Sequence, residues 1–373
     1  MEQPQLPPKI TGGYSICEAV ENSPSLAIKI IFWLLLGILS VIFAEVTCAS
    51  SPYPFFDGWG LLVVTPLYTL HTLFLAGLIF KRKQISLSIL FLAGILFGLY
   101  EALITKVIWN PTWGDTATSL GGVAWLQTSV LIFYWHPWYA FIFPLLFGET
   151  LFTNSVEVQT VLPAWLTGKK KVVWVILLAV LCGINQGANG AFFKNIVLST
   201  VEALGVFLTF SGLWYWVNKN KKYRMRDLLP RGSELIWVGV LLIILYGLSL
   251  FLIRPEALPY KILPYAVIGG LYLITISVLV KNLQKAHTSN IPPRIHPMNH
   301  FIKNISVFVL VYLCSSYVFL QFPSIAGILI ILSWSLGVIT GVTLFVRAIW
   351  SAFRKKNLIE FKDLDDRIVK WKL

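Results

Sequence analysis

Glu101 stands in the run FGLYEALITK, inside an apolar stretch that begins at Ile85. A charge at the centre of a hydrocarbon layer costs roughly 2.5 to 3.5 kcal/mol even on lenient insertion scales, so a carboxylate there needs a partner, a proton or water. Gly94, Gly98, Glu101 and Thr105 follow one another at i, i+4, i+7 and i+11, which puts them on one helix face, narrow at its glycines and polar at its later end. Four other places carry groups of similar chemistry. Asn195, Ser199 and Glu202 repeat the helical spacing; Thr65, Tyr68, Thr69 and Thr72 form a stripe bordered by His71; Glu45 lies one turn before Cys48; and His136 precedes Pro137. The segment GINQGANG adds Asn185, Gln186 and Asn189 among glycines, a poor helix that is expected to unwind and offer backbone for hydrogen bonding.

Carboxylates and imidazoles together suffice for general acid-base chemistry. On this reading Glu101 is the acid or base, His136 or His71 its proton partner and Glu202 a second carboxylate. Glu45, Asn185, Gln186 and Asn189 hold and orient the substrate. No spacing among these residues indicates a metal site. His296 and His300, four apart in HPMNH, are separated by Pro297 in a stretch that reads as a basic loop, and the four cysteines, Cys17, Cys48, Cys182 and Cys314, are scattered. The sequence names no cofactor.

The elements that must position these groups are helices in a membrane. The chain of 373 residues is 57% hydrophobic and 13% charged, with 25 Phe and 15 Trp, a balance that a soluble domain could not keep in solution. Apolar stretches long enough to cross the bilayer occur at 27–48, 61–80, 85–108, 123–147, 172–190, 194–217, 235–253, 262–280, 304–321 and 324–349. The expected fold is an all-α, polytopic transmembrane helical bundle of about ten spans. Its fourth span is expected to break or kink at His136-Pro137, because the residue before proline is pushed from helical geometry.

Basic clusters (Lys81 to Lys83, Lys169 to Lys171, Lys219 to Arg226, Lys281 to Lys303, Arg354 to Lys356) follow every even-numbered span. The positive-inside bias then puts both termini in the cytoplasm, in a multi-pass protein of a cytoplasmic-type membrane. The first residues, proline-rich with Glu18 and Glu21, do not resemble a signal peptide. The formal charge of +13 therefore reads as a topology signal that meets anionic headgroups at the cytoplasmic face, and not as a nucleic-acid surface. The opposite loops, rich in Gly, Pro and aromatics, belong outside, with Arg254 and Lys261 as exceptions to the charge bias.

The organisation read from this pattern is a cytoplasmic segment 1–26, a six-span half 27–217 that carries the polar site, a basic cytoplasmic loop 218–234, an apolar four-span packing half 235–349, and a cytoplasmic amphipathic tail 350–373. Glu149 and Glu157 read as residues of the cytoplasmic interface.

YEALITKVIW resembles the glutamate motif of the CAAX-protease and bacteriocin-processing family of intramembrane peptidases, in which two adjacent glutamates precede a basic residue. Glu101 matches the first glutamate and Lys106 the basic position, but Ala102 stands where the second glutamate would be. FYWH resembles that family's Phe-to-His motif at another spacing, and a second histidine motif is missing. The likeness implies a peptidase carboxylate at Glu101; it covers ten of 373 residues and does not assign the chain to that family.

The expected protein is thus an integral membrane protein with an ionisable pocket in its extracytoplasmic half. The reading favoured is a membrane-embedded hydrolase or transferase that acts on a lipid-like or membrane-anchored substrate. A proton-coupled transporter or flippase, and a non-catalytic subunit of a membrane complex, are the alternatives.

Overall fold

The computed structural model describes residues 23–82, 85–111, 119–163, 171–190, 192–219, 223–285 and 301–354. The start of the chain with Cys17, the histidines of HPMNH and the tail from residue 355 lie outside the described residues. Ten long helices account for most of the rest: α1 (Leu26–Val46), α2 (Gly60–Ile79), α3 (Leu87–Leu103), α4 (Trp125–Phe152), α5 (Lys171–Ala188), α6 (Phe193–Asn218), α7 (Ser233–Leu252), α8 (Ile262–Lys285), α9 (Phe301–Gln321) and α10 (Pro323–Phe353). Each coincides with one of the apolar stretches. Seven are long and apolar enough to cross a membrane; α3, α5 and α9 are shorter apolar helices. Strand structure among the described residues is one two-residue antiparallel ladder, Ser119–Leu120 with Val123–Ala124.

Local chemistry sets where the first helices begin. Ser25 and Ser86 cap α1 and α3, their hydroxyls accepting the N–H groups of Ile28 and Ile89 that have no partner in the first helical turn. Burial then sorts the helices. Two thirds of the apolar window of α4 (67%) is buried, against 17% for α10, so α4 is central and α10 presents most of its surface to lipid. The core around α4 is made by Phe32, Leu35 and Leu36 of α1, Phe91 and Phe97 of α3, and Tyr139 and Phe141 of α4 itself.

The fourth span is irregular, as its proline predicts, but it is not broken. From Leu131 to Ile142 it continues in wide turns of the π type, with Pro137 inside them. A π turn shifts the hydrogen-bond register by one residue, which accommodates a residue without an N–H while the helix runs on. Gly94 on α3 lies directly against this stretch. A β-carbon there would come within 2.4 Å of the Pro137 Cα, so only glycine permits the two backbones to approach so closely.

Two further expectations are corrected. The third span is not one helix to residue 108: α3 is interrupted after Gly98, resumes for the single turn Tyr100–Leu103, and the chain then turns at Lys106 with φ +58°. GINQGANG does not unwind either, since α5 remains helical through Ala188. Its glycines serve contact instead: a β-carbon at Gly183 would fall 2.0 Å from the Ser315 hydroxyl of α9.

The end of the bundle away from Glu101 is tied by ion pairs. Lys29 at the start of α1 meets Glu234 at the start of α7 at 2.9 Å, and Arg226 holds both oxygens of Glu157 at 2.6 and 2.7 Å while donating to the carbonyl of Phe80 at the end of α2. Glu149 is fully buried there, accepting the N–H groups of Val158 and Gln159 at 3.0 Å each.

Candidate functional site

Four helices bring one polar chain together. His136, on the wide turns of α4, directs Nδ1 to the carbonyl of Leu131 at 3.1 Å, a bond in which the ring nitrogen is the donor. Its other nitrogen, Nε2, lies 3.4 Å from Glu101 Oε1 and 3.3 Å from the hydroxyl of Tyr100. The Tyr100 hydroxyl donates to that of Tyr68 at 3.2 Å, and Tyr68 donates to Glu45 Oε1. Ser50 donates to the other oxygen of Glu45, and Thr105 to Glu101 Oε2. An unbroken sequence of contacts therefore runs from Glu45 on α1 through Tyr68 on α2 and Tyr100 on α3 to His136 and Glu101.

Proton counting sharpens this geometry. The Nδ1 proton of His136 is committed to Leu131 and the single hydroxyl proton of Tyr100 to Tyr68. Nε2 therefore faces two oxygens, Glu101 Oε1 and the Tyr100 hydroxyl, and is the ring nitrogen through which a proton can pass to either. His136 is 1% and Glu101 6% exposed, so water does little to screen this pair.

The pair borders a cavity of about 1580 Å³. Glu45, Tyr68, Tyr100, Glu101, Thr105 and His136 form its polar side. Trp59, Leu67, Leu131, Trp334, Val338 and Ile339 are among the residues of its larger apolar side. Cys48 also lines it, its thiol donating to the Ala44 carbonyl at 2.9 Å. The four-span half takes part as well, since Leu252, Ile253 and Arg254 and the α10 residues Ile331, Trp334, Ser335, Val338 and Ile339 also line it.

The residues singled out from sequence divide into two groups. Glu45, Glu101, His136, Asn185 and Asn189 share the cavity. Asn185 donates to Leu181 O at 3.2 Å within its own helix, and Asn189 donates to Cys48 O. His71, Glu202 and Gln186 are placed elsewhere. His71 sits behind the aromatic wall, stacked on Phe97 at 4.9 Å, donating through Nδ1 to Leu67 O and accepting at Nε2 from Tyr246, both at 2.8 Å. Glu202 accepts from the Phe55 N–H at 3.0 Å and pins the loop between α1 and α2. Gln186 donates to Val46 O at 2.8 Å and to the Tyr312 hydroxyl at 2.7 Å. No group of three or more His, Cys, Asp or Glu residues able to hold a metal occurs among the described residues.

Sequence reasoning missed Tyr100 as a site residue and assigned Tyr68 only to a polar stripe. A tyrosine in an apolar run ordinarily reads as an interfacial anchor. The usable signal was adjacency: Tyr100 precedes the buried carboxylate directly. Lys106 was missed differently. It is fully buried, and its ammonium donates to the carbonyls of Ile104 (3.2 Å), Ser249 (2.7 Å) and Ile253, the last two at the C-terminal end of α7. A cation there meets the negative end of the helix dipole as well as the otherwise unpaired carbonyls.

Fold and site together define an integral, multi-helix membrane protein whose helices enclose a cavity with a buried carboxylate-imidazole pair in its wall. The chain belongs to an uncharacterized membrane protein family, whose family model matches residues 34–355. It is 38% identical over 231 residues, 61% of this chain and 70% of the relative, to an uncharacterized protein of Archaeoglobus fulgidus. No solved structure matches it.

Proposed function

We propose that the cavity is the reaction site of a membrane-embedded acid-base enzyme, a hydrolase or transferase acting on a lipid-like or membrane-anchored substrate. The observation that carries this reading is the buried contact of Glu101 Oε1 with His136 Nε2 at 3.4 Å in the wall of a large, mostly apolar cavity. Because Nδ1 is held by Leu131, Nε2 is the nitrogen that gives and takes the proton. Thr105 orients Glu101, and Tyr100 and Tyr68 link His136 to Glu45, a second carboxylate that can receive or return that proton. Apolar walls suit acyl or isoprenoid chains and leave the polar edge for the reacting group. The charge bias of the loops supports an extracytoplasmic position for this cavity, with both termini and the ion-paired end toward cytoplasmic anionic headgroups.

The test is product formation in proteoliposomes made from a total lipid extract, followed by mass spectrometry. Wild-type protein changes the lipid profile; Glu101→Gln and His136→Gln leave it unchanged while they purify as folded protein. An unchanged profile with wild-type protein refutes the enzyme. One observation favours proton-coupled transport: two carboxylates joined through tyrosines also make a proton path. That reading predicts uptake driven by a pH gradient, abolished by Glu101→Gln.

A further inference from the structure

Arg254 lies in the wall of the cavity, one residue beyond the Ile253 carbonyl that receives Lys106, in a left-handed turn at φ +46°. Its guanidinium donates through Nη1 to Thr105 O at 3.0 Å and through Nη2 to Asn110 O at 2.7 Å. Both acceptors are neutral backbone carbonyls. A guanidinium has five N–H donors, so this anchorage fixes the plane of the fork and leaves three donors. The side chain is half-buried, and Thr105, whose carbonyl it grips, is the residue whose hydroxyl holds Glu101.

Charge points the same way. Glu101 is engaged by His136 and Thr105, and Glu45 by Tyr68 and Ser50, so the hydrogen bonds of both cavity carboxylates go to groups other than Arg254. The Arg254 guanidinium therefore lines the cavity held by neutral groups alone, in a lining that is otherwise mostly apolar. A rigid, charged fork with spare donors is the ordinary receptor for a phosphate or carboxylate, which it binds by charge-assisted, often bidentate hydrogen bonds.

We infer that Arg254 is the headgroup receptor of the cavity and that the ligand is an amphiphile with an anionic, phosphate-bearing headgroup, its chain lying along Leu131, Trp334, Val338 and Ile339. This deepens the reading of the cavity as a lipid-handling site and rests on it. The headgroup bound at Arg254 lies beside Thr105, which places the bonds next to it within the surroundings of Glu101 and His136. Arg254 acts here on affinity and selectivity, not on proton transfer.

The experiment is lipid binding to the purified, detergent-solubilised protein by native mass spectrometry. The probes are dioleoyl phosphatidic acid, dioleoylglycerol with the same chains and no phosphate, and glycerol 1-phosphate as a soluble competitor. Wild-type protein is expected to prefer the phosphatidic acid by about ten- to a hundredfold, the size of one or two charge-assisted hydrogen bonds. Arg254→Gln should reduce the preference to within about threefold, and Arg254→Lys, which keeps the charge and loses the fork, should fall between. Lys29→Met, in the ion pair with Glu234 at the far end of the bundle, should bind as wild type does. Equal retention of both lipids by the wild type, or a preference that stays at the wild-type level in either Arg254 variant, overturns the inference even if Glu101→Gln still abolishes product formation. Competition by glycerol 1-phosphate as effective as that of the lipid also overturns it, since the ligand would then be a soluble phosphate. Absence of product with intact lipid selectivity would instead overturn the enzyme and leave Arg254 as the receptor. If Arg254→Gln does not fold, the wild-type and Arg254→Lys preferences carry the test.

Discussion

Replacing Glu101 and His136 by glutamine, singly and together, measures whether they act as a pair. The separation of 3.4 Å, at the effective dielectric constant of about 20 suited to protein interiors, corresponds to a gross attraction of about 5 kcal/mol between unit charges. Part of that offsets desolvation, since the side chains are 1% and 8% exposed. Removing one member should cost about 3 to 5 kcal/mol, much of it from the charge left behind, and removing the second should cost far less. The expected coupling is about 2 to 4 kcal/mol in a double-mutant cycle, read from reversible unfolding in mixed micelles by tryptophan fluorescence. Lys29 and Glu234 supply the control. They are closer, at 2.9 Å, but 16% and 25% exposed, so their coupling should stay below about 1 kcal/mol. Additivity within about 0.5 kcal/mol for Glu101 and His136, or equal coupling in the two pairs, would refute their action as a pair and the acid-base mechanism drawn from it.

Tyr100→Phe cuts the link between His136 and Glu45 while keeping the ring that packs at 5.1 Å from the imidazole; product formation should fall about a hundredfold in the lipid assay, with the melting temperature nearly unchanged. Gly94→Ala forces a methyl group against the Pro137 backbone, which cannot retreat as a side-chain end would, and should destabilise the protein by about 1 to 3 kcal/mol, seen as a lower melting temperature and a smaller folded fraction on size exclusion. Lys106→Met leaves carbonyls at the end of α7 without their donor and should cost about 2 to 4 kcal/mol, measured by the same micellar unfolding; an unchanged midpoint would show that other donors replace the ammonium.

The helices were legible because the bilayer demands long apolar runs, and each of the ten stretches became a helix. Glu101 and His136 stood out for the same physical reason: a charge in a hydrocarbon run, and a polar residue before a proline, both need an explanation. What they touch was not legible. Glu45 and Tyr68 meet across 23 residues and Tyr100 and His136 across 36, and periodicity within one helix carries no information about such distances. His71 has the same apolar surroundings in sequence as His136, yet Tyr246, 175 residues away, satisfies it outside the cavity. Glu202 likewise serves a loop N–H. Arg254 read as an exception to the charge bias because its partners, Thr105 and Asn110, are backbone atoms of a distant segment.

The lysine buried against the end of α7 also bears on synthesis. Two of its three acceptors, Ser249 and Ile253, are encoded 143 and 147 residues after it. At ordinary translation rates of about 5 to 20 residues per second, roughly 7 to 30 seconds separate the emergence of Lys106 from that of its acceptors. During that interval the turn after the nascent third helix holds an ammonium ion with only the Ile104 carbonyl to receive it, so it should stay near the translocon or the water interface until the seventh helix arrives. A ribosome stalled before residue 249 would expose Lys106 to a water-soluble amine reagent that the finished protein excludes.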